Sequence, residues 1–390
     1  MAAADRRLKT AALLGALAAS LFYLALAAAI GPAQNQDFLN LYTGGQLARS
    51  GHFADLYDFD LQMREQDRVT GGVRLHFPFV RPPFYALLLS PLSWFAFHTA
   101  YRIWIAFHIG LLLCVWAWSW RRFGPESIIY CSLFLPSALG IAHGQDCVVF
   151  SILGLAILEA AEHRKDRLAG VFAALTLAKF HLFLLVPIAM AVRRRWMMLA
   201  AYLASATALA VGSMALVGPA GVKGYLALLT RQDLVTLSPS PERMLGVRSI
   251  AVNLGAGFWL EAMLAAVVVA LVLWTARTQA EDWRWISAAI VGSLLLSPHT
   301  YEYDAAVLLA FLVAAAHRAG SPVTRAAAVA ALVPVPYLMT LAGSPWAAIP
   351  SLVLAAYLAS LPYSLYFTTT ETRRFRLSIG SFGISTRRSA

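Results

Sequence analysis

The sequence predicts an all-α membrane protein with about twelve transmembrane helices, and three observations support this fold class. Of its 390 residues, 59% are hydrophobic and only 13% are charged, which is typical of a polytopic membrane protein rather than a soluble domain. Several apolar runs approach the roughly 20 residues that a helix needs to cross about 30 Å of hydrocarbon. The basic residues form short clusters between these runs, as cytoplasmic loops of membrane proteins do.

The net charge of +11 therefore does not indicate nucleic-acid binding, because the positive charge is divided among short loops. The three cysteines are Cys114, Cys131 and Cys147. They lie within or at the ends of apolar runs, without C-x-x-C spacing or histidines at metal-ligand spacing. The sequence predicts neither a disulfide framework nor a zinc site.

The first element is a helix over residues 11–30, preceded by the basic stretch MAAADRRLKT. No A-x-A-like cleavage site leads into a soluble domain, so we predict a retained transmembrane helix rather than a signal peptide. The polar residues 31–80 follow and contain two short amphipathic pieces, 39–49 and 61–70. We predict that this outer loop carries juxtamembrane helices on the membrane surface.

With the runs that follow, the chain has about thirteen apolar segments. Both termini carry arginine clusters and are expected in the cytoplasm, which requires an even number of crossings. Five charged loops are also expected inside: WRRFGPES, EHRKDR, RRRW, TARTQAEDWR and HRAGSPVTR. This leaves residues 84–97 as a re-entrant or interfacial segment that does not cross. The later runs are 84–97, 101–120, 128–141, 148–161, 168–178, 182–192, 196–217, 258–275, 286–296, 305–316, 326–341 and 347–366.

A competing interpretation joins residues 168–192 into one helix of about 37 Å, which is long enough to cross. It would place the basic residues 163–167 on the outer side, so we favour two separate segments. The favoured topology brings the unusual polar residues to one face of the membrane. These are Asp37, residues 55–81, Gln145, Asp146, Lys179, His181, a second outer loop over 218–248 and the stretch SPHTYEYD at 297–304.

Ionisable residues at membrane depth are unfavourable and are therefore functional candidates. Asp37 is either a general base or a carboxylate at a helix end in the headgroup zone. Arg81 precedes two prolines and is either a phosphate ligand or an interfacial arginine. Lys179 interrupts an apolar run, which favours an anionic ligand at a broken helix.

The stretch SPHTYEYD is either a polar helix start or a substrate-binding turn. His299 follows a Ser-Pro pair that ends the preceding helix, and Tyr301 and Glu302 come directly behind it. Such a turn offers hydroxyls and carboxylates to a sugar. The stretch YDFD at 57–60 contains a D-x-D triplet, but this pattern is common by chance and no phosphate-binding glycine loop accompanies it.

Six stretches of the chain, taken in order, resemble the successive blocks of glycosyltransferase family 87. The resemblance runs from about residue 37 to about residue 312 and implies an integral membrane enzyme of the GT-C fold. It also implies transfer of mannose from a polyprenyl-phosphate donor on the outer face, with inversion, without a metal and without another cofactor. The stretches are QDFLNLYTGGQLARSGHFADLYD, FPFVRPPFYALLLSPLSWF, GQDCVVFSILGLAILE, RLAGVFAALTLAKFHLFLLVPIAMAVRRRW, RMLGVRSIAVNLGA and LLLSPHTYEYDAAVLLA.

The resemblance implies roles for individual residues. Asp37 matches the acidic residue of the first outer loop that is the catalytic base in GT-C enzymes. Lys179 matches the family's lysine after the short helix, and Arg81 stands where the family has an aromatic or basic residue before its double proline. Both are expected to bind the donor phosphate, and our mechanistic hypothesis adds His299 to them. Weaker candidates for the sugar and the acceptor are Tyr42, Gln145, Tyr301 and Glu302.

The chain departs from the family pattern at two points, which leaves the donor geometry and the sugar specificity open. Asp146 stands where the family usually has asparagine, and FHLF follows Lys179 where a proline is common. A transporter or lipid flippase is the main alternative, although no inverted repeat with paired broken helices is evident. An accessory membrane subunit without activity is the third possibility.

We therefore expect one integral membrane domain over residues 1–366 and a basic cytoplasmic tail over residues 367–390. The expected partners are a polyprenyl-phosphate sugar donor, a glycolipid or polysaccharide acceptor and membrane lipids. The expected location is a bacterial inner membrane, with the site facing the periplasm or the exterior.

Overall fold

The structure, a computed structural model, describes residues 2–30, 36–72, 76–230 and 240–363. The described residues form eighteen α-helices with short 3-10 turns and no strand. The predicted tail and parts of both predicted outer loops lie outside them, and the single-domain division stays a prediction. The helices are α1 (Ala2–Ile30), α2 (Gln36–Arg49), α3 (Phe59–Thr70), α4 (Pro83–Leu89), α5 (Phe97–Phe123), α6 (Ser127–Leu133), α7 (Leu135–Ala142), α8 (Cys147–Glu162), α9 (Asp166–Leu175), α10 (Val186–Val192), α11 (Trp196–Leu229), α12 (Val247–Asn253), α13 (Phe258–Thr278), α14 (Asp282–Leu296), α15 (Leu309–Arg318), α16 (Pro322–Leu332), α17 (Val335–Leu338) and α18 (Ile349–Ser360).

Several of these helices suit a membrane. Among the described residues, α5, α11, α13 and the segment Trp346–Tyr363 are long and apolar enough to cross one. A fifth crossing results if α16 and the segment Val335–Ala342, bent by 49°, are taken together. The all-α class is confirmed, whereas the count of about twelve crossings and the GT-C fold stay predictions.

The apolar residues 168–192 form a hairpin rather than one helix. A 3-10 turn over Thr176–Leu182 separates α9 from α10. The chain reverses so far that the Arg195 guanidinium, after α10, donates to the Asp166 carboxylate, at the start of α9, over 3.0 Å. A single helix would hold these two residues more than about 40 Å apart. The two separate segments that the charge rule favours are therefore confirmed.

The charged loops that the sequence assigns to one side meet at one end of the helix bundle. Arg195 also donates to Asp282 over 2.8 Å, which connects the loops before α9, α11 and α14. Arg122 and Arg318 both pair with Glu162, which connects the ends of α5, α8 and α15. We call these residues the basic-end network: Arg122, Glu162, Asp166, Arg195, Asp282 and Arg318.

Residues 84–97 form no helix of membrane length. The seven residues of α4 continue as a 3-10 turn over Ser90–Trp94, and together they span about 20 Å. The segment packs along α2 because Gly45 has no side chain: a Cβ there would lie 2.8 Å from the Leu89 carbonyl oxygen. That the segment does not cross the membrane stays a prediction.

The centre of the bundle is the hairpin of α14 and α15. Every residue of α14 from Asp282 to Leu295 is buried, as expected for a helix surrounded by other helices. The 3-10 turn Glu302–Leu308 leads into α15, and it is buried from Asp304 onward. The connection between the two helices, residues 297–304, therefore lies at the end of the bundle away from the basic-end network.

Candidate active site

Three chain reversals meet at the end of the bundle opposite the basic-end network. They are residues 143–146 between α7 and α8, the turn at Lys179, and the connection over residues 297–304. Helix α8 has 16 residues and runs from one end to the other, which separates the ends by about 24 Å. Side chains from these reversals, together with Arg81 and Asp37, form the candidate site.

Gly144 shapes the first reversal. Its φ is +65°, a left-handed conformation that favours glycine. Its carbonyl oxygen accepts a hydrogen bond from the Trp104 indole over 2.9 Å. The Gln145 N–H donates back to the Gly140 carbonyl over 2.9 Å and closes the turn at the end of α7. Gln145 and Asp146 are thereby held at the start of α8.

The buried Asp146 carboxylate lies between two cations. One oxygen is 3.0 Å from the Arg81 guanidinium and the other is 3.3 Å from Lys179 Nζ. Burial by itself raises the pKa of this carboxyl, but the Arg81 and Lys179 charges outweigh it and hold the pKa of Asp146 at about 2. Asp146 therefore stays ionised and connects the segment before α4 to the turn at Lys179.

Lys179 lies at the break of the second reversal, where φ of −139° and ψ of 55° depart from helical values. The residue is only 4% exposed. Its ammonium lies 2.6 Å from Asp304, 3.3 Å from Asp146 and 3.4 Å from the Gln145 side-chain oxygen. An ammonium has three donors, so these three oxygens can use all of them.

Asp304 completes the charge balance. It is buried at the start of the third reversal's 3-10 turn, and its second oxygen accepts a hydrogen bond from the Tyr301 N–H over 3.0 Å. Two carboxylates, Asp146 and Asp304, thus face two cations, Arg81 and Lys179, and their charges cancel. We call these four residues the site network.

Asp37 lies beside the site network, in the first turn of α2, and is half-buried. The Gln145 side chain lies beside its carboxylate and favours the ionised form. Because the Gln145 oxygen accepts from Lys179, the NH2 group is the part of the amide left for Asp37. Burial raises the pKa of the Asp37 carboxyl, while Gln145 and the His143 and Lys179 charges limit the rise. A raised pKa makes the carboxylate a stronger proton acceptor.

A row of rings leads from the exposed rim of the site to Lys179. His299 is exposed, and its ring lies edge-on to Tyr301 at 5.4 Å between centroids. The Tyr301 ring is 5.7 Å from Tyr303, whose ring centroid is 5.8 Å from Lys179 Nζ. Glu302 is half-buried in the same turn. The predicted residues of this stretch therefore lie together at the candidate site.

Tyr42, a predicted contact, and the discounted D-x-D triplet lie elsewhere. Tyr42 is five residues after Asp37, which is about 140° around a helix. Its hydroxyl donates to the Phe95 carbonyl over 2.9 Å, so the structure does not bring it to the site network. In the D-x-D triplet, the Asp58 side chain accepts the Leu61 N–H over 3.0 Å and caps α3.

The sequence reasoning did not assign roles to Asp304 and Tyr303, or a partner to Asp146. Asp146, where the family pattern has asparagine, pairs with both Arg81 and Lys179. One physical signal was present: two cations at membrane depth require carboxylates to balance them. Which carboxylates do so depends on the fold, because Asp304 is 125 residues from Lys179 in the chain.

The arrangement suits transfer of a group to a hydroxyl. Asp37 can accept a proton from a hydroxyl oxygen within about 3 Å. Arg81, at 14% side-chain exposure, donates to Asp146 and to the Ala178 carbonyl, and a guanidinium has five donors. Donors therefore remain to stabilise a leaving anion.

The family comparison supports such chemistry. A model of glycosyltransferase family 87 matches residues 79–298, more than half of the chain. The matched part contains Arg81, Gln145, Asp146 and Lys179, whereas Asp37 lies before it. Curated proteins and solved structures gave no match.

Proposed function

The chain belongs to glycosyltransferase family 87, and from this premise we propose that it transfers mannose, a hexose, from a polyprenyl-phosphate donor with inversion. The proposed acceptor is a glycolipid or polysaccharide. Membership of the family supports glycosyl transfer itself, which requires a sugar donor and an acceptor. The choice of sugar and of lipid donor rests on the resemblance of the six sequence blocks.

The proposed location is a bacterial inner membrane, with both termini in the cytoplasm and the site facing the periplasm. The basic-end network supports this orientation, because basic loops favour the cytoplasmic side and five of them meet there. The site network lies at the other end of the bundle, about 24 Å away. A donor with a polyprenyl tail would reach it sideways from the bilayer.

The observation that carries the proposal is the position of Asp37. This carboxylate has a raised pKa, is half-buried and lies beside a neutral amide, Gln145, next to the cations Arg81 and Lys179. A general base needs these properties: it must be ionised, accessible to a hydroxyl and basic enough to take its proton. We assign Asp37 as the base.

In the proposed step, the acceptor hydroxyl oxygen forms a bond to the anomeric carbon of the donor. The bond between that carbon and the phosphate oxygen breaks, and its electron pair stays on the polyprenyl phosphate. The hydroxyl proton moves to Asp37. Because attack comes from the face opposite the leaving group, a β-linked donor gives an α-linked product.

Arg81, Lys179 and His299 are the proposed ligands of the donor phosphate. Arg81 has donors beyond those that Asp146 and the Ala178 carbonyl accept, whereas Lys179 must exchange one of its three oxygen partners for a phosphate oxygen. These cations offset the charge that grows on the leaving group, so the proposal requires no metal or other cofactor. Proposed sugar and acceptor contacts are Gln145, Tyr301 and Glu302, whereas Tyr42 lies away from the site network.

A transporter or lipid flippase is the second candidate. The observation that favours it is the broken segment at Lys179, since transporters place charged residues at unwound helices. That function would move a lipid-linked sugar without breaking its bond to phosphate. Release of polyprenyl phosphate from the donor distinguishes the two.

The direct test uses purified protein, radiolabelled polyprenyl-phosphate mannose and a membrane lipid extract as the source of acceptor. We expect the wild type to transfer label and Asp37→Asn to be about 10²- to 10⁴-fold slower, the contribution typical of a general base. Asp60→Asn is the matched control, because Asp60 is exposed on the neighbouring helix α3, and it should transfer at the wild-type rate.

Two outcomes would contradict the proposal. Transfer by Asp37→Asn at the wild-type rate would remove Asp37 as the base and leave transfer itself intact. Absence of transfer by the wild type from every polyprenyl-phosphate sugar would reject the donor class.

A further inference from the structure

A cavity lies between α2, α3 and the 3-10 turn Ser90–Trp94, and the proposed reaction does not use it. Its volume is about 340 Å³. It is on the other side of α2 from Asp37, since Tyr42 and Asp37 are about 140° apart around the helix. The cavity is lined by Tyr42, Gln46, Arg49, Arg68, Val69, Ser93, Trp94, Phe95, Ala96 and Phe97.

Two guanidinium groups border this cavity. Arg49 donates through Nε to the neutral Ser93 hydroxyl over 2.9 Å, and among the described residues no carboxylate pairs with it. Arg68 pairs with Glu65 at 2.8 Å. Glu65 is shared, because it also accepts from the Gln46 amide over 3.0 Å. This carboxylate therefore pairs with Arg68 and accepts from an amide, while Arg49 lies on a neutral hydroxyl, so the cavity keeps an excess of positive charge.

The same cavity borders an exposed apolar strip. Trp94 is 72% exposed and Phe95 is 45% exposed, and both line the cavity. Leu88, in the preceding helix α4, is 65% exposed. Exposed tryptophan beside apolar residues is typical of the boundary between headgroups and acyl chains. The cationic cavity thus lies where a lipid headgroup would lie.

We propose that this cavity binds the headgroup of an anionic phospholipid. Arg49 and Arg68 take the phosphate oxygens, since planar guanidinium groups match phosphate geometry. The glycerol and acyl chains lie against Trp94, Phe95 and Leu88. Bound lipid fastens α2 and α3 to the membrane surface and so supports the helix that carries Asp37. The proposal concerns lipid binding and does not depend on which reaction the protein catalyses.

Lipid binding can be measured on the full chain in detergent by native mass spectrometry and by the thermal unfolding midpoint. Three additions separate the sources of phosphate: short-chain phosphatidylglycerol, short-chain phosphatidylcholine and inorganic phosphate. We expect phosphatidylglycerol alone to be retained and to raise the midpoint. In the double variant Arg49→Gln/Arg68→Gln, its apparent affinity should fall about thirtyfold, the effect expected for two basic residues at a membrane surface.

Arg64→Gln is the matched control, because Arg64 is exposed on the same helix as Arg68, one turn earlier, and does not line the cavity. It removes the same charge and should keep the affinity. If the double variant proves unstable, Arg49→Lys takes its place. This variant retains the charge and loses the planar fork, and its loss of affinity for phosphatidylglycerol should be intermediate. An equal loss in Arg64→Gln, or equal stabilisation by inorganic phosphate or phosphatidylcholine, would overturn the proposal.

Discussion

The two ends of the helix bundle are both held by ion pairs, yet the ends differ in what surrounds those pairs. In the basic-end network every carboxylate lies against an arginine: Glu162 against Arg122 and Arg318, and Asp166 and Asp282 against Arg195. In the site network Asp146 and Asp304 are paired in the same way. The site end has in addition a third carboxylate, Asp37, which is held by the neutral Gln145 amide.

The comparison shows how a carboxylate that stabilises the fold differs from one that can act as a base. The adjacent cations lower the pKa of the Asp146 and Asp304 carboxyls, so these two carboxylates accept a proton poorly. Asp37 avoids this because its polar neighbour is a neutral amide, while the nearby cations are balanced by Asp146 and Asp304. The site network thus positions Asp37 and leaves it basic.

The turns at the two ends show a parallel difference. Gly144, Arg164 and Arg194 all have left-handed φ, of +65°, +58° and +57°, and each is followed by an N–H that closes the same type of turn. The site end has glycine at this position, whereas the basic end has arginine twice. The two arginines thus add positive charge to the basic-end loops, although a left-handed φ is strained for a residue other than glycine.

Removal of the central cation should have the largest effect. Lys179→Met leaves two carboxylates, Asp146 and Asp304, with Arg81 as their one remaining cation in the site network. We therefore expect the free energy of unfolding to fall by about 3–5 kcal/mol and glycosyl transfer to be lost. Denaturant titration in micelles measures the first, and the radiolabel assay the second. Adding Asp304→Asn should recover part of the stability, because one unpaired carboxylate is removed; no recovery would contradict the network.

The corresponding change at the other end should affect stability alone. Arg195→Gln leaves Asp282 and Asp166 without their partner, and we expect a loss of about 2–4 kcal/mol. The transfer rate per folded molecule should equal that of the wild type, since the site is about 24 Å away. A fall in that rate in material shown to be folded would mean that the two ends are coupled.

Substitutions at the left-handed positions test the difference between the turns at the two ends. Gly144→Ala should cost about 1 kcal/mol, the penalty of a left-handed non-glycine residue, and should also slow transfer by shifting Gln145. Arg164→Gly should change stability by less than about 0.5 kcal/mol, because relief of strain offsets the greater freedom of the unfolded chain. Thermal unfolding compares the two; a larger cost for Arg164→Gly would assign that arginine a role beyond its charge.

The smallest expected effect is on the pH dependence. Asp37 must be ionised to act as a base, so transfer should fall as the pH drops through its pKa, which burial places above the ordinary value for aspartate. Gln145→Leu removes an amide that favours the ionised form, which raises that pKa further and moves the acidic limb to higher pH. Profiles of kcat/KM against pH measure this, and an unchanged limb would show that Gln145 does not hold Asp37.

Some of the fold and site follows from local sequence. The membrane class, the hairpin over residues 168–192 and the clustering of basic loops follow from hydropathy and charge, because each depends on solvent and membrane preferences of short segments. Asp37, Arg81 and Lys179 stand out because charge is unfavourable at those depths. The pairing of Asp304 with Lys179 does not follow, because it joins residues far apart in the chain.

By itself, the sequence determined that this is a helical membrane protein of glycosyltransferase family 87, which regions are apolar and which loops are basic. Only the tertiary structure decided that Asp146 and Asp304 balance Arg81 and Lys179, that Gln145 turns its NH2 group toward Asp37, and that Tyr42 faces another cavity. The reason is physical. Composition selects the environment of each segment, whereas the partner of a buried charge is selected by the three-dimensional approach of helices that are distant in sequence.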